Sequence, residues 1–441
     1  MDRMTRREFM GFAGAGIAGV WLGGLGEGAE AGLGQESAGV FSEQIERVRK
    51  ADATLRVLGA DEKPLAGARV SIEQTGHEFL FGCAIPNPSG LRQRLESRQN
   101  ADAFEKAFLR LFNYATTENA AKWVHVESEE GRYTFEDLDL IVDWCEQHGV
   151  RLKGHCLVWG TQGPQGVPDW LRAYEGERLR GKVRERVEMM VSRYAGRIAA
   201  WDVVNEPLHA TWFEERLGPG YVAEAMGWAR EAGPQATLLV NEFRGMQGEA
   251  PRYSDYLRGL RADAMPLDAL GEQAHDHPRW YSDERIGDSL DTLARVGVPI
   301  HITEFTYPND GRSIEEGPEG VWDEETQGRF YERCYRAFFA HPAVEAITMW
   351  ALWDGSSWRP GGGILRPDFS PKPAFEALDR LINREWRTQA ELVTDAEGRA
   401  SFRGFFGRYQ ARVGEVGPAC EFHLLRSGAR QFEVRVRYAQ V

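Results

Sequence analysis

The stretch Trp201-Asp202-Val203-Val204-Asn205-Glu206-Pro207-Leu208-His209 decides the fold. Val203 and Val204 suit a buried strand; Asn205 and Glu206 follow together, and Pro207 ends the run. Such a strand delivers an amide and a carboxylate at its C-terminal end, which is where an α/β barrel keeps its chemistry. One carboxylate calls for a second. Thr303-Glu304-Phe305, closing the apolar run Val298–Ile302, supplies it, and the two-carboxylate reading is what the rest of the chain has to support.

Outward from that stretch, strand, loop and helix patterns alternate. Strands are expected at Phe79–Ala84, Leu111–Thr116, Arg151–Val158, Ile198–Val204, Ala236–Val240, Ala269–Gln273, Pro299–Thr303 and Ala346–Ala351. Helical patterns such as Phe135–His148, Leu179–Tyr194 and Tyr221–Ala232 lie between them, and Gly149, Gly196, Gly233 and Gly297 fall where helices should end. This alternation predicts an α/β fold, a (β/α)8 TIM barrel, and 441 residues leave room for additions to it. An open doubly wound sheet is the runner-up, but no Gly-rich phosphate loop follows the first strand.

The additions lie at both ends. Phe41–Lys50 reads as a short helix, and Ala53–Ala60 with Ala68–Gln74 as a β-hairpin. After Leu381 come short alternating strands: Glu391–Thr394, Ala400–Phe405, Tyr409–Val413, Glu421–Leu425 and Gln431–Tyr438. A hairpin alone is too small to be stable, so it is expected to join the C-terminal strands in one accessory β module. The expected division is 1–31 targeting segment, 40–76 helix and hairpin, 77–385 catalytic barrel and 386–441 the remaining module. Structural support and sugar binding are both open as the module's role.

Composition narrows the partners. A net charge of −14 argues against nucleic acid and favours a neutral ligand. Several of the 14 tryptophans lie in or beside the strand-end segments, where each reads either as core or as a platform for a ligand. The five cysteines, Cys83, Cys145, Cys156, Cys334 and Cys420, lack metal-ligand spacing and are expected mostly free and buried, with one bridge left open. At the N-terminus, Arg6-Arg7 precedes the apolar, Gly-rich Gly11–Leu25 and the small-residue site Ala29-Glu30-Ala31. This reads as a twin-arginine export signal, leading to the periplasm or beyond, with no membrane contact in the mature form. A monomer is expected.

Nearly every strand end carries polar groups. Read in order, the segments Glu118-Asn119-Ala120-Ala121-Lys122-Trp123, Gly154-His155-Cys156-Leu157-Val158-Trp159, Trp201–Glu206, Asn241-Glu242-Phe243, Gln273-Ala274-His275, Ile302-Thr303-Glu304 and Trp350–Arg359 resemble glycoside hydrolase family 10, the barrel family dominated by endo-β-1,4-xylanases. The resemblance covers roughly Phe79–Leu381 and leaves the terminal β segments outside.

The resemblance implies a retaining double displacement of internal β-1,4 links in xylan, with carboxylates about 5–5.5 Å apart in such enzymes and no metal or organic cofactor. Glu304 corresponds to the nucleophile and Glu206 to the acid/base. Asn205 is placed to bond the sugar 2-hydroxyl; Asn241 and His275 resemble partners of the nucleophile and Gln273 the partner of the acid/base. Lys122, His155 and Trp159 resemble residues lining the subsite at the cleavage point. Glu118, Asn119 and Gln162 resemble contacts to the next sugar, while Trp350 and Trp358 resemble the apolar floor and wall. His275 and Trp350 also read as core, and Gln162 as plain loop.

Two departures stand out. Gly160 occupies the position of a usual histidine, ahead of a longer loop, Thr161–Pro168, and Thr306 stands where the family usually has an acid that orients the histidine matched by His275. Both leave the sugar open, so another β-glycosidase of the same barrel clan is the second enzymatic reading. A catalytically silent sugar-binding protein is the reading from another class, but it has no use for the pair Glu206 and Glu304.

Overall fold

The computed structural model describes residues 35–262, 264–275, 277–414 and 418–436. The targeting segment expected at 1–31 lies outside them. A helix, Gln35–Arg49, leads into β1 (Lys50–Leu58) and β2 (Arg69–His77). The barrel follows: β3 (Leu80–Ile85), β4 (Tyr114–Thr117), β5 (Arg151–Trp159), β6 (Ala200–Asn205), β7 (Thr237–Glu242), β8 (Ala269–Glu272), β9 (Ile300–Phe305) and β10 (Val344–Met349). These eight strands are parallel, and β10 pairs with both β9 and β3, so the sheet closes into the expected barrel.

Strands β6, β7 and β9 run one or two residues further than the apolar pattern suggests, so Asn205, Glu242 and Glu304 belong to the strands themselves. A residue in the ladder has its backbone fixed by two neighbours, and a side chain leaving it is aimed more firmly than one on a loop. Trp201 is 1% exposed and belongs to the core. Its ring lies so close to Gly154 of β5 that a Cβ there would sit 2.1 Å from ring carbon Cζ3, so the glycine makes room for the indole.

The five C-terminal strands are β11 (Gln389–Val393), β12 (Arg399–Phe405), β13 (Gly407–Val413), β14 (Cys420–Leu424) and β15 (Gln431–Arg435). The expected N-terminal hairpin is absent. β1 lies between β12 and β15 in a three-stranded sheet, whereas β2 lies between β11 and β13 in a four-stranded one. The connection from Leu58 to Arg69 is too long for a tight hairpin turn, and each strand gains two partners rather than one by parting. Leu55, Val57 and Val434 from one sheet meet Val70, Ile72, Tyr409 and Leu424 from the other in one core.

Arg49 ties this sandwich to the base of the barrel. It is 6% exposed, and its guanidinium donates to the carbonyls of Phe339 (2.6 Å), His341 (2.7 Å) and Val344 (2.7 Å), where the helix Glu324–Ala340 ends. A cation there meets the negative end of the helix dipole. Burial brings it down to about 9, so it remains charged at neutrality. All five cysteines are free, and four of them are buried.

Candidate active site

Three strand ends meet around Asn241. Its Nδ2 donates to Asn205 Oδ1 (2.7 Å) and to Glu304 Oε1 (2.8 Å), and its Oδ1 accepts from Thr303 Oγ1 (2.6 Å). Asn205 and Asn241 are 1% and 0% exposed, so one buried amide fixes β6 and β9 relative to each other through β7. Both its hydrogens are in use, which orients the amide without ambiguity.

Glu206 follows β6 with φ +55°, a left-handed conformation that a residue with a Cβ adopts only under constraint from its surroundings. Its amide donates to Asn241 O (2.7 Å), and its carbonyl accepts from His209 N (3.1 Å) and Ala210 N (2.7 Å). The carboxylate accepts from Trp159 Nε1 at Oε2 (2.9 Å) and from Gln273 Nε2 at Oε1 (2.9 Å). Gln273 Oε1 in turn meets His275 Nε2 at 2.5 Å. His275 therefore acts on Glu206 through Gln273, and its Nε2 stands 3.9 Å from Glu304 Oε2.

The protonation states follow from burial. Glu304 is 7% exposed; desolvation, and after it the charge of Glu206, raise its pKa to about 8. Glu206 is raised too, by desolvation first, against the pull of its two donors. Coupled carboxylates in such a site titrate as a unit, and the charge of one strengthens the other's hold on its proton. His275 is brought down to about 4 by burial and then by Arg359, so it is neutral and its Nε2 hydrogen serves Gln273.

Beneath the pair lies a buried group that sequence reasoning missed. Asp202 is 0% exposed and pairs with Lys153 Nζ at 2.8 Å and His155 Nδ1 at 2.9 Å. Burial alone would raise Asp202, but the Lys153 charge and the His155 hydrogen bond hold it below the usual carboxylate range. His155 is lowered to about 4 by burial and stays neutral, with Nδ1–H directed at Asp202. The available signal was a charged residue in the middle of each of two apolar strands that the barrel order makes neighbours.

Most of the expected residues converge. Lys122 Nζ donates to Asn119 Oδ1 (2.8 Å), stands over the Trp159 ring (5.0 Å), and Asn119 donates to Glu118 (3.2 Å). Trp350 is buried and meets His155 edge to face at 5.0 Å. Trp358 is 48% exposed and packs edge-on to His275 at 5.8 Å, a wall open to a ligand. Gln162 does not join them. It is exposed, and its carbonyl accepts from Arg172 in the short helix Asp169–Ala173 that follows the loop.

Both departures have a structural counterpart. A Cβ at Gly160 would sit 2.3 Å from the carbonyl oxygen of Ala210, so the loop after β6 fills the space that a side chain there would need. Thr306 is fully buried, and its hydroxyl has no hydrogen-bond partner among the described residues. Gln273 and the rings of Phe243 (6.3 Å, stacked) and Trp358 hold His275 in place of an acid. Among the described residues no group of three His, Cys, Asp or Glu is placed to hold a metal ion, and no helix is long and apolar enough to cross a membrane.

A closed barrel with two hydrogen-bonded carboxylates, one buried and one partly buried, at the C-terminal ends of its strands defines a glycosidase-type site. The family model for glycosyl hydrolase family 10 matches residues 72–380, and the chain belongs to that family. It is 30% identical over 307 residues to endo-1,4-beta-xylanase B of Thermotoga neapolitana, covering 66% of this chain and 86% of that one. It is 31% identical over 384 residues to the anti-sigma-I factor RsgI6 of Acetivibrio thermocellus, covering 84% of this chain and 46% of that protein. Native xylanase 10B from Thermotoga maritima superposes with a TM-score of 0.60 at 26% identity, over 70% of this chain and 96% of that one. The chain spans 33–48% of the length of four of the curated relatives it matches.

Proposed function

We propose that the protein is a retaining endo-β-1,4-xylanase. The observation that carries this reading is the pair Glu206 and Glu304, the first partly buried and the second buried, each held by its own donors and each raised above the usual carboxylate range. Glu304, its oxygen aligned by Asn241, attacks the anomeric carbon. Glu206 gives its proton to the departing glycosidic oxygen, and the aglycone leaves. Glu206, now ionised, takes a proton from water, whose oxygen attacks the anomeric carbon, breaks the bond to Glu304 and leaves the configuration retained.

The other residues have supporting roles in this reading. Asn205 bonds the 2-hydroxyl of the sugar at the cleavage point, and its carbonyl orientation is already set by Asn241. Lys122, His155 and Trp159 line that subsite, Glu118 and Asn119 meet the next sugar, and Trp350 and Trp358 give apolar faces to the rings. Gln162, exposed on its loop, is left out of this set. Export by the twin-arginine route completes the proposal, supported by Arg6-Arg7 and the apolar stretch after it.

Reducing-sugar release from xylan, mixed-linkage glucan and mannan tests the substrate, and the anomeric form of the first product tests the mechanism. Release from xylan as the β-anomer is expected, with Glu304→Ala inactive but folded. Cleavage of another polymer alone would remove xylan from the proposal, and first release of the α-anomer would remove the double displacement.

A further inference from the structure

The turn that carries Glu206 is folded around a second buried carboxylate. Glu242, the last residue of β7, is 0% exposed. Its Oε2 accepts from Leu208 N (2.8 Å), and its Oε1 accepts from Phe243 N (2.9 Å) and from His209 Nδ1 (2.9 Å). Among the described residues no lysine or arginine pairs with it, which leaves His209 as its counter-charge. The other imidazole nitrogen, Nε2, stands 3.2 Å from Glu249 Oε2. Two carboxylates flanking an imidazole favour its protonated form. Its ring packs on Phe243 at 4.3 Å, and the His209 amide returns to the carbonyl of Glu206.

We infer that His209 and Glu242 are positioning residues for the acid/base, clamping the Glu206–Ala210 turn and setting the charge that Glu206 feels when it gives up its proton. This rests on the assignment of Glu206 above. The groups facing Glu206 are Glu304 from β9, Glu242 from β7 and Lys122 from the loop after β4. Those facing His209 are Glu242 and Glu249, the latter also paired with Arg244 (3.5 Å) and Arg252 (3.0 Å). The directions agree with the geometry: the bond to Glu242 raises His209, and Glu242 is among the charges that raise Glu206.

The pair makes opposite predictions for its two members. His209→Gln keeps a donor to Glu242 but removes the positive charge, so the alkaline limb of kcat/KM moves up by about 0.3–1 pH unit. Glu242→Gln removes the negative charge and moves the limb down by a similar amount. Both lower kcat/KM on xylohexaose about tenfold or more, yet change it less than about threefold on dinitrophenyl xylobioside, whose leaving group needs no protonation. If Glu242→Gln fails to fold, His209→Gln carries the test alone. Limbs that stay put, or move together, overturn the inference, as do equal losses on the two substrates. A wild-type protein inert toward both substrates overturns instead the functional reading on which the inference rests.

Discussion

Replacing Glu304 by Gln should stabilise the protein while ending its turnover. Burial, and then the charge of Glu206, raise this carboxyl from 4.5 to about 8. In the unfolded chain it ionises near 4.5, so between that point and about 8 the folded state retains a proton that the unfolded state has released. Stability is therefore full below the unfolded value and falls as pH rises through the window up to the folded one. At about pH 7 the penalty is on the order of 3 kcal/mol, since each pH unit between the unfolded value and neutrality contributes about 1.4 kcal/mol. Gln keeps an acceptor for Asn241 but gives up the hydroxyl of the protonated carboxyl, a loss of about 1–2 kcal/mol, which leaves a net gain of about 1–2 kcal/mol. Urea unfolding of both proteins at about pH 4 and about pH 7 measures it, and the gain should be confined to the higher pH. Equal stability at the higher pH, or the same gain at both, would refute the reasoning that burial holds a proton on this pair.

Asn241→Ala removes the donor to Glu304 and leaves Asn205 Oδ1 unpaired, so kcat should fall about 10–100-fold with less effect on KM, read from steady-state hydrolysis of xylo-oligosaccharides. Lys153→Met leaves buried Asp202 without its ammonium and should cost about 3–5 kcal/mol near neutrality. Asp202 lies below its unfolded value, so its contribution is present above that value and lost as pH falls through the folded one. The loss in Lys153→Met should accordingly shrink in acid, and a difference under about 1 kcal/mol at about pH 7 would count against the buried pair. Gly160→His puts back the residue usual in the family, yet its Cβ meets the Ala210 carbonyl at 2.3 Å. It should displace the turn that carries Glu206 and lower kcat/KM on xylan more than about tenfold, rather than restore a subsite.

The chemistry is legible in this sequence because the barrel places it at strand ends, where an apolar run stops and a polar group begins. Val203-Val204-Asn205-Glu206 and Ile302-Thr303-Glu304 announce themselves in that way. The terminal strands are legible by alternation but not by pairing, since nothing in Ala53–Ala60 and Ala68–Gln74 tells that they part to separate sheets. That choice is made by partners more than 300 residues away, such as Arg399–Phe405 against β1. The same limit explains the charged groups that escape a linear reading. Asp202 stands inside the most informative stretch of the chain, but its meaning depends on Lys153 and His155 in the neighbouring strand, at register His155 to Asp202. Glu242 likewise sits beside Asn241, and only the turn after β6 shows that one bonds Glu304 while the other bonds His209 and the amide of Leu208. Strand ends thus disclose which polar groups converge, whereas the charged groups that surround them lie on adjacent strands, where register rather than sequence distance decides contact. The departures at Gly160 and Thr306 belong to this second kind: each matters through what replaces it, the Ala210 carbonyl in one case and Gln273 with Phe243 and Trp358 in the other.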